Sequence, residues 1–154
     1  MSITTAPLIN RFLGLAQRLD ALSLDLLQFA ARVGLAAIFW FSGRTKVDGL
    51  LSVNDTAQFL FAQEYSLPLI DPVLAAHLAT YAEHLLPILL VLGLATRGAA
   101  FGLLVMTTVI QFLVYPGAWP THLNWAALAL LLVLRGGGRW SLDAWFFQVK
   151  RQPA

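Results

Sequence analysis

The chain contains no cysteine. That excludes thiol–disulfide chemistry, iron–sulfur ligation and covalent c-type haem attachment. Charge is scarce too: 12% of the 154 residues are Asp, Glu, Lys or Arg, roughly half of what a soluble domain carries. The two signs nearly cancel, at a formal +2, and no lysine- or arginine-rich run offers a surface to nucleic acid. No dinucleotide fingerprint and no convincing metal motif is present, so a flavin or metal would come from a partner. The N-terminus also lacks the compact apolar run and small-residue cleavage site of a secretory leader.

Apolar residues are what is abundant, at 58%, with a mean hydropathy of +0.72. An integral membrane protein is expected, in the all-α class: a four-transmembrane-helix bundle with an amphipathic interfacial helix at each end. The spans are expected at 24–43, 73–95, 98–115 and 122–135, inside a membrane domain covering 24–135. Residues 1–23 precede it as an interfacial helix, with Leu8, Phe12, Leu15, Leu19 and Leu22 on one stripe. Residues 136–154 follow as a cytoplasmic interfacial tail, whose last helix is capped by Ser141 and carries Leu142, Trp145, Phe146 and Val149.

Between spans one and two lies a long outer loop, in which Asn54 or Asp55 can cap a short helix running to Tyr65. Thr96-Arg97-Gly98 is expected as a tight turn, and Gly98 and Gly102 form a GxxxG pair suited to close helix contact. The fourth span is short, which implies thinning, tilt or shielding. Seven cations, from Arg11 to Arg151, fall on the side of the termini, against Arg44 and Lys46 on the other. This asymmetry predicts a bacterial inner-membrane protein with both termini in the cytoplasm.

The chemistry-bearing stretch is Tyr81-Ala82-Glu83-His84-Leu85-Leu86-Pro87, in the middle of an apolar span. An ionisable group at that depth costs a few kcal/mol and usually has a partner or a wet cavity. Arg32 is the expected partner. It lies 11 positions before Gly43, as Glu83 lies 11 after Pro72, which places both about 16 Å below the outer helix ends. Pro87 releases the carbonyl of Glu83 from the helix ladder, a further acceptor for Arg32, and should bend the helix there. Two readings of the pair stand side by side. It pins two helices in register, or Glu83, oriented by Arg32 and with His84 beside it, exchanges protons or contacts a quinone head group. Glu83, Arg32 and His84 are therefore the catalytic candidates.

A second polar tier is expected nearer the outer surface, where Arg44, Lys46, His77, Gln111 and His122 could line a cavity as binding residues. His77 and His84 are seven positions apart, too far for one small ion, which leaves His77 with His122 as the metal candidates.

These residues carry a family resemblance. Arg32-Val-Gly-Leu-Ala-Ala-Ile-Phe39 leads to Ser42-Gly43 and Lys46; Glu83 to Pro87 follows, then Leu92-Gly-Leu-Ala-Thr-Arg97 and Gly138-Arg-Trp-Ser-Leu-Asp143. In this order the pieces resemble the DoxX family of small bacterial inner-membrane proteins. Ser42-Gly-Arg-Thr-Lys46 departs from the family's glycine-lysine wording by an extra cation. The resemblance implies a four-helix bundle and an accessory or scaffold subunit of a redox or oxidative-stress system. It also implies a soluble redox or peptide-maturation enzyme as partner, the latter in copper-peptide systems. Two alternatives stay open: a quinone-linked oxidoreductase subunit with no cofactor of its own beyond a quinone, and a small-solute or metal transporter, which would need a homo-oligomer.

Overall fold

The computed structural model describes residues 6–65, 67–68 and 70–147, with the backbone alone over 6–23 and at 147. It is almost entirely helical. The first helix, α1, runs unbroken from Ala6 to Arg44. The sequence predicts an interfacial helix followed by a separate span, yet no proline stands between them to interrupt the hydrogen-bond ladder. At 39 residues it is about 58 Å long, twice a hydrocarbon core. The apolar stripe of residues 8–22 lies outside the described side chains.

After α1 the chain makes a small antiparallel hairpin, β1 (Val47–Asp48) with β2 (Ser52–Val53), in the register Val47↔Val53 and Asp48↔Ser52. This is the one departure from helix among the described elements, and its turn needs Gly49 at φ +68°. Helix α2 (Asp55–Gln63) is capped by Asn54, whose side chain accepts from the Ala57 N–H at 2.8 Å. Helix α3 (Pro72–Leu92) starts on Asp71, which accepts from Leu74 N–H, with proline in the first turn, where its missing N–H costs nothing.

Helix α3 stops at Leu92 rather than continuing to Ala95. Gly93 takes the left-handed conformation, Leu94 N–H bonds Leu89 O, and Gly93 N–H bonds Leu90 O, a Schellman ending. The turn is therefore at 93–95, and Thr96-Arg97-Gly98, predicted as the turn, is instead the first turn of α4 (Thr96–Val109). The reason is not local. Asp143, 47 residues away, accepts from the N–H groups of Ala95 and Thr96 and caps α4. The helix ends in a π-helical turn, Ile110–Val114, before α5 (Trp119–Arg135) and the short α6 (Leu142–Phe147). Ser141 caps α6 as expected, accepting from Ala144 N–H; Val149 lies outside the described residues.

Helices α1, α3, α4 and α5 pack together, α1 against α3 and α5, and α4 against α3 and α5. Their shared core is rich in alanine: Ala31, Ala36, Ala99, Ala100 and Ala129 surround Leu35, Phe39, Leu90, Leu103 and Leu132. Small side chains let helices approach closely where the surrounding medium is itself apolar. Only one glycine of the GxxxG pair takes part. A Cβ on Gly102 would lie 2.9 Å from Leu86, whereas nothing approaches Gly98 within 4 Å. Among the described residues three helical segments are long and apolar enough to cross a membrane, Leu24–Arg44, Pro72–Leu92 and Thr96–Val114; α5 has 17 residues. Large hydrophobic side chains such as Leu78, Leu85, Phe101 and Leu130 stay exposed on the outside of the bundle, as a lipid-facing surface requires.

The stagger of α1 on α3 positions everything that follows. A Cβ on Gly43 would meet Glu83 Cβ at 3.0 Å, so the end of α1 is level with the middle of α3. The N-terminal half of α3 is covered instead by α2 and the segment after it, through Phe61, Tyr65 and Leu67 against Ala75, Ala76 and Ala79.

Candidate functional site: a cavity closed by Lys46 and Glu83

The stagger overturns the expected Arg32–Glu83 pair. Counting depth from Pro72 and from Gly43 assumed that the two helix ends are level. They differ by half of α3, and Arg32 accordingly lies beside the C-terminus of α3. Its Nε donates to Leu90 O at 2.8 Å and its Nη2 to Val91 O at 2.9 Å. Its Nη1 donates to Gly137 O at 3.0 Å and Trp140 O at 2.8 Å. Leu90 O and Val91 O lie in the last turn of α3, whose carbonyls are short of helical N–H donors, Leu90 O having the Gly93 N–H besides, and a cation there also suits the helix dipole. Arg32 is a clamp binding α1, α3 and the 137–140 loop.

Glu83 pairs with Lys46 at 2.7 Å. Lys46 follows directly on α1, where the turns Thr45 N–H to Ser42 O and Lys46 N–H to Gly43 O hold it. Its Nζ also donates to Ser42 Oγ at 2.9 Å, and Ser42 Oγ donates to the other Glu83 oxygen at 3.3 Å. The result is a closed triangle of Ser42, Lys46 and Glu83, with the carboxylate almost fully buried. His84, one residue on, faces away. Its Nδ1 bonds Thr80 O at 2.7 Å, its ring meets Trp40 edge-on, and its Nε2 is buried with no partner.

The triangle forms one end of a cavity of about 490 Å³. Ile38, Phe39, Ala79, Ala82, Val105 and Met106 supply apolar wall. Tyr65 and Tyr115 line it as well, their hydroxyls bonded at 2.8 Å. Burial, followed by this hydrogen bond, pushes the Tyr65 phenol above the ordinary tyrosine range.

His122 also lines the cavity. Gln111 Nε2 donates to Pro116 O at 2.8 Å, so the amide oxygen faces His122 Nδ1, 2.7 Å away. Because a carbonyl can only accept, Nδ1 carries a proton, and in the neutral form of the ring the lone pair is on Nε2. The π-helical turn that holds Gln111 is an element frequent at functional sites.

The two tiers expected from sequence thus become one site: Lys46 and His122 line the same cavity as Glu83. Gln111 stands behind His122. Arg44 lies outside, donating to the carbonyls of Gly49 and Leu50 in the hairpin turn. His77 bonds Val73 O on its own helix and lies against Tyr81. No group of three or more histidine and acidic side chains gathers among the described residues. Sequence reasoning missed Ser42, Tyr65 and Tyr115. The Ser42-x-x-x-Lys46 spacing was a usable signal, since residues four apart meet on a helix face.

A family model described as DoxX matches residues 27–116, more than half of the chain. The chain belongs to the DoxX family. Searches of curated proteins and of solved structures return no match. The DoxX match takes in the Lys46–Glu83 pair, Gln111 and both tyrosines. It stops before His122 and before the arginine-rich loop that Arg32 clamps.

Proposed function

We propose that this DoxX protein is an accessory membrane subunit of a redox system, and that its own contribution is to hold a quinone-type molecule in the Lys46–Glu83 cavity. The supporting observation is a buried ion pair on the wall of a largely apolar chamber of about 490 Å³, the size and composition of a small-molecule site. A lipophilic body suits the walls, and a polar head suits the end where Lys46 can donate and Glu83 can accept a proton. His122 Nε2 adds an acceptor for a hydroxyl. Electrons then pass to or from a soluble partner enzyme that carries the redox group.

In this reading α5 completes a fourth crossing in the bacterial inner membrane, with both termini cytoplasmic. The Gly136–Ser141 loop, the 93–95 turn and the Asp25–Arg32 part of α1 meet at one end of the bundle, which supports that topology. A C-terminal reporter should be active only in the cytoplasm.

The decisive experiment is gentle purification from native membranes, with extraction of bound quinone and mass spectrometry of co-purifying proteins. Wild type should carry a quinone, and Ala82→Phe, which fills the cavity without touching the ion pair, should lose it. Wild-type protein free of quinone from quinone-replete membranes would overturn the ligand; a chain that purifies alone would overturn the accessory role.

A further inference from the structure

We infer that the arginine-rich end of the bundle carries a binding site for the phosphate of an anionic phospholipid, built on the Gly136-Gly137-Gly138 loop. A second and larger cavity opens there, lined by Arg97, Arg135, Arg139, Thr96 and the three glycines. The loop is anchored from beneath. Gln28 Nε2 donates to the carbonyls of Arg135 and Gly136, Arg32 to Gly137 O, and Ser141 Oγ to Gly138 O. Every carbonyl from 135 to 138 is thereby taken by a side chain of the protein. The N–H groups of Gly137 and Gly138 have no acceptor among the described residues. A loop with its carbonyls held and its amides unspent is an anion-binding concavity.

The charges around it point the same way. Arg97, Arg135 and Arg139 are exposed, and none forms an ion pair among the described residues. Arg97 Nε lies 3.4 Å from where a Cβ on Gly136 would sit, directly over the loop. Two carboxylates lie at the loop, and both accept from backbone N–H groups: Asp143 from Ala95 and Thr96, and Asp25 from Arg139. Thr96 is fully buried, its Oγ1 has no partner, and it is aimed at Gly137, where a Cβ would come within 2.6 Å. The anion is most simply a lipid's, because Trp140, Trp145 and Phe146 stand exposed beside the arginines. Aromatic side chains of this kind sit at headgroup level. Arginine forks suit phosphate oxygens.

The test is a melting curve of delipidated full-length protein in neutral detergent, titrated separately with phosphatidylglycerol, phosphatidylcholine and inorganic phosphate. Phosphatidylglycerol should stabilise the protein, and phosphatidylcholine and phosphate should not. Arg97→Gln, Arg135→Gln and Arg139→Gln should each weaken the apparent affinity about fivefold, and the triple variant roughly a hundredfold, as expected for about 1 kcal/mol per cation at an anionic surface. These side chains have no internal partner, so the variants should melt like wild type without lipid. If the triple variant does not accumulate, the single variants and the wild-type comparison carry the same test. Equal stabilisation by phosphatidylcholine, or a phosphatidylglycerol response undiminished in the variants, would overturn the site. A full response to inorganic phosphate would show a free-anion site and overturn the lipid.

Discussion

Replacing Arg32 by methionine separates a clamp from a catalytic group. Methionine keeps most of the apolar stem but strips the donors from Leu90 O, Val91 O, Gly137 O and Trp140 O. The bonds to Leu90 and Gly137 are fully buried, while the other two are only partly so and can recruit water. Leu90 O keeps the Gly93 N–H, so Gly137 O is the buried carbonyl left with no partner. A buried group in that state costs about 1–3 kcal/mol. Removing a desolvated guanidinium returns part of this, so the expected loss is about 1–2 kcal/mol, against the roughly 5–15 kcal/mol by which a domain is stable. Membrane abundance and the melting temperature in detergent should both fall. Arg32→Lys should lie close to the methionine variant, because one ammonium cannot reach carbonyls on α3 and on the 137–140 loop together. Arg32 does not line the Lys46–Glu83 cavity, so the Arg32→Met protein that does fold should hold as much ligand per chain as wild type. A variant with normal abundance and melting, or a folded variant that has lost its ligand, would refute the clamp.

Two further predictions concern the cavity. Lys46→Met and Glu83→Gln should each destabilise the protein, and the double variant should be less destabilised than their sum, by about 0.5–3 kcal/mol in a double-mutant cycle. Strict additivity would mean that the 2.7 Å contact carries no coupling. The raised pKa of Tyr65 makes a signed prediction. Its folded form holds the proton above pH ~10, where an unfolded tyrosine loses it. The stability it contributes is therefore complete below about pH 10 and lost as pH rises through the folded value. Tyr65→Phe should show a shallower alkaline fall in melting temperature, and parallel curves would exclude Tyr65 as the cause.

Composition and periodicity went far with the helices. Apolar runs bounded by Asp71-Pro72, Thr96-Arg97-Gly98 and Pro116-Gly117 located α3 and α4 to within a few residues, because breakers and caps act locally. They failed where the cap came from elsewhere. The start of α4 at Thr96 depends on Asp143, and no window around residue 96 contains that carboxylate. The hairpin at 47–53 was missed for a related reason, since two-residue strands have no periodicity to detect. The importance of Glu83 was legible from its cost in an apolar span; its partner was not.

The amino-acid sequence alone was enough to show a helical membrane protein in which Glu83 and Arg32 need partners. Helix formation and membrane partition follow from residues close together in the chain, so a one-dimensional pattern suffices. Which partners meet depended on a translation of α1 along α3, settled by where Gly43 lets the backbones touch against Glu83. That stagger is a property of two surfaces packed together. It took Arg32 to the carbonyls at the end of α3 and brought Lys46 to Glu83, because a shift of half a helix changes every neighbour while leaving each helix as the sequence made it.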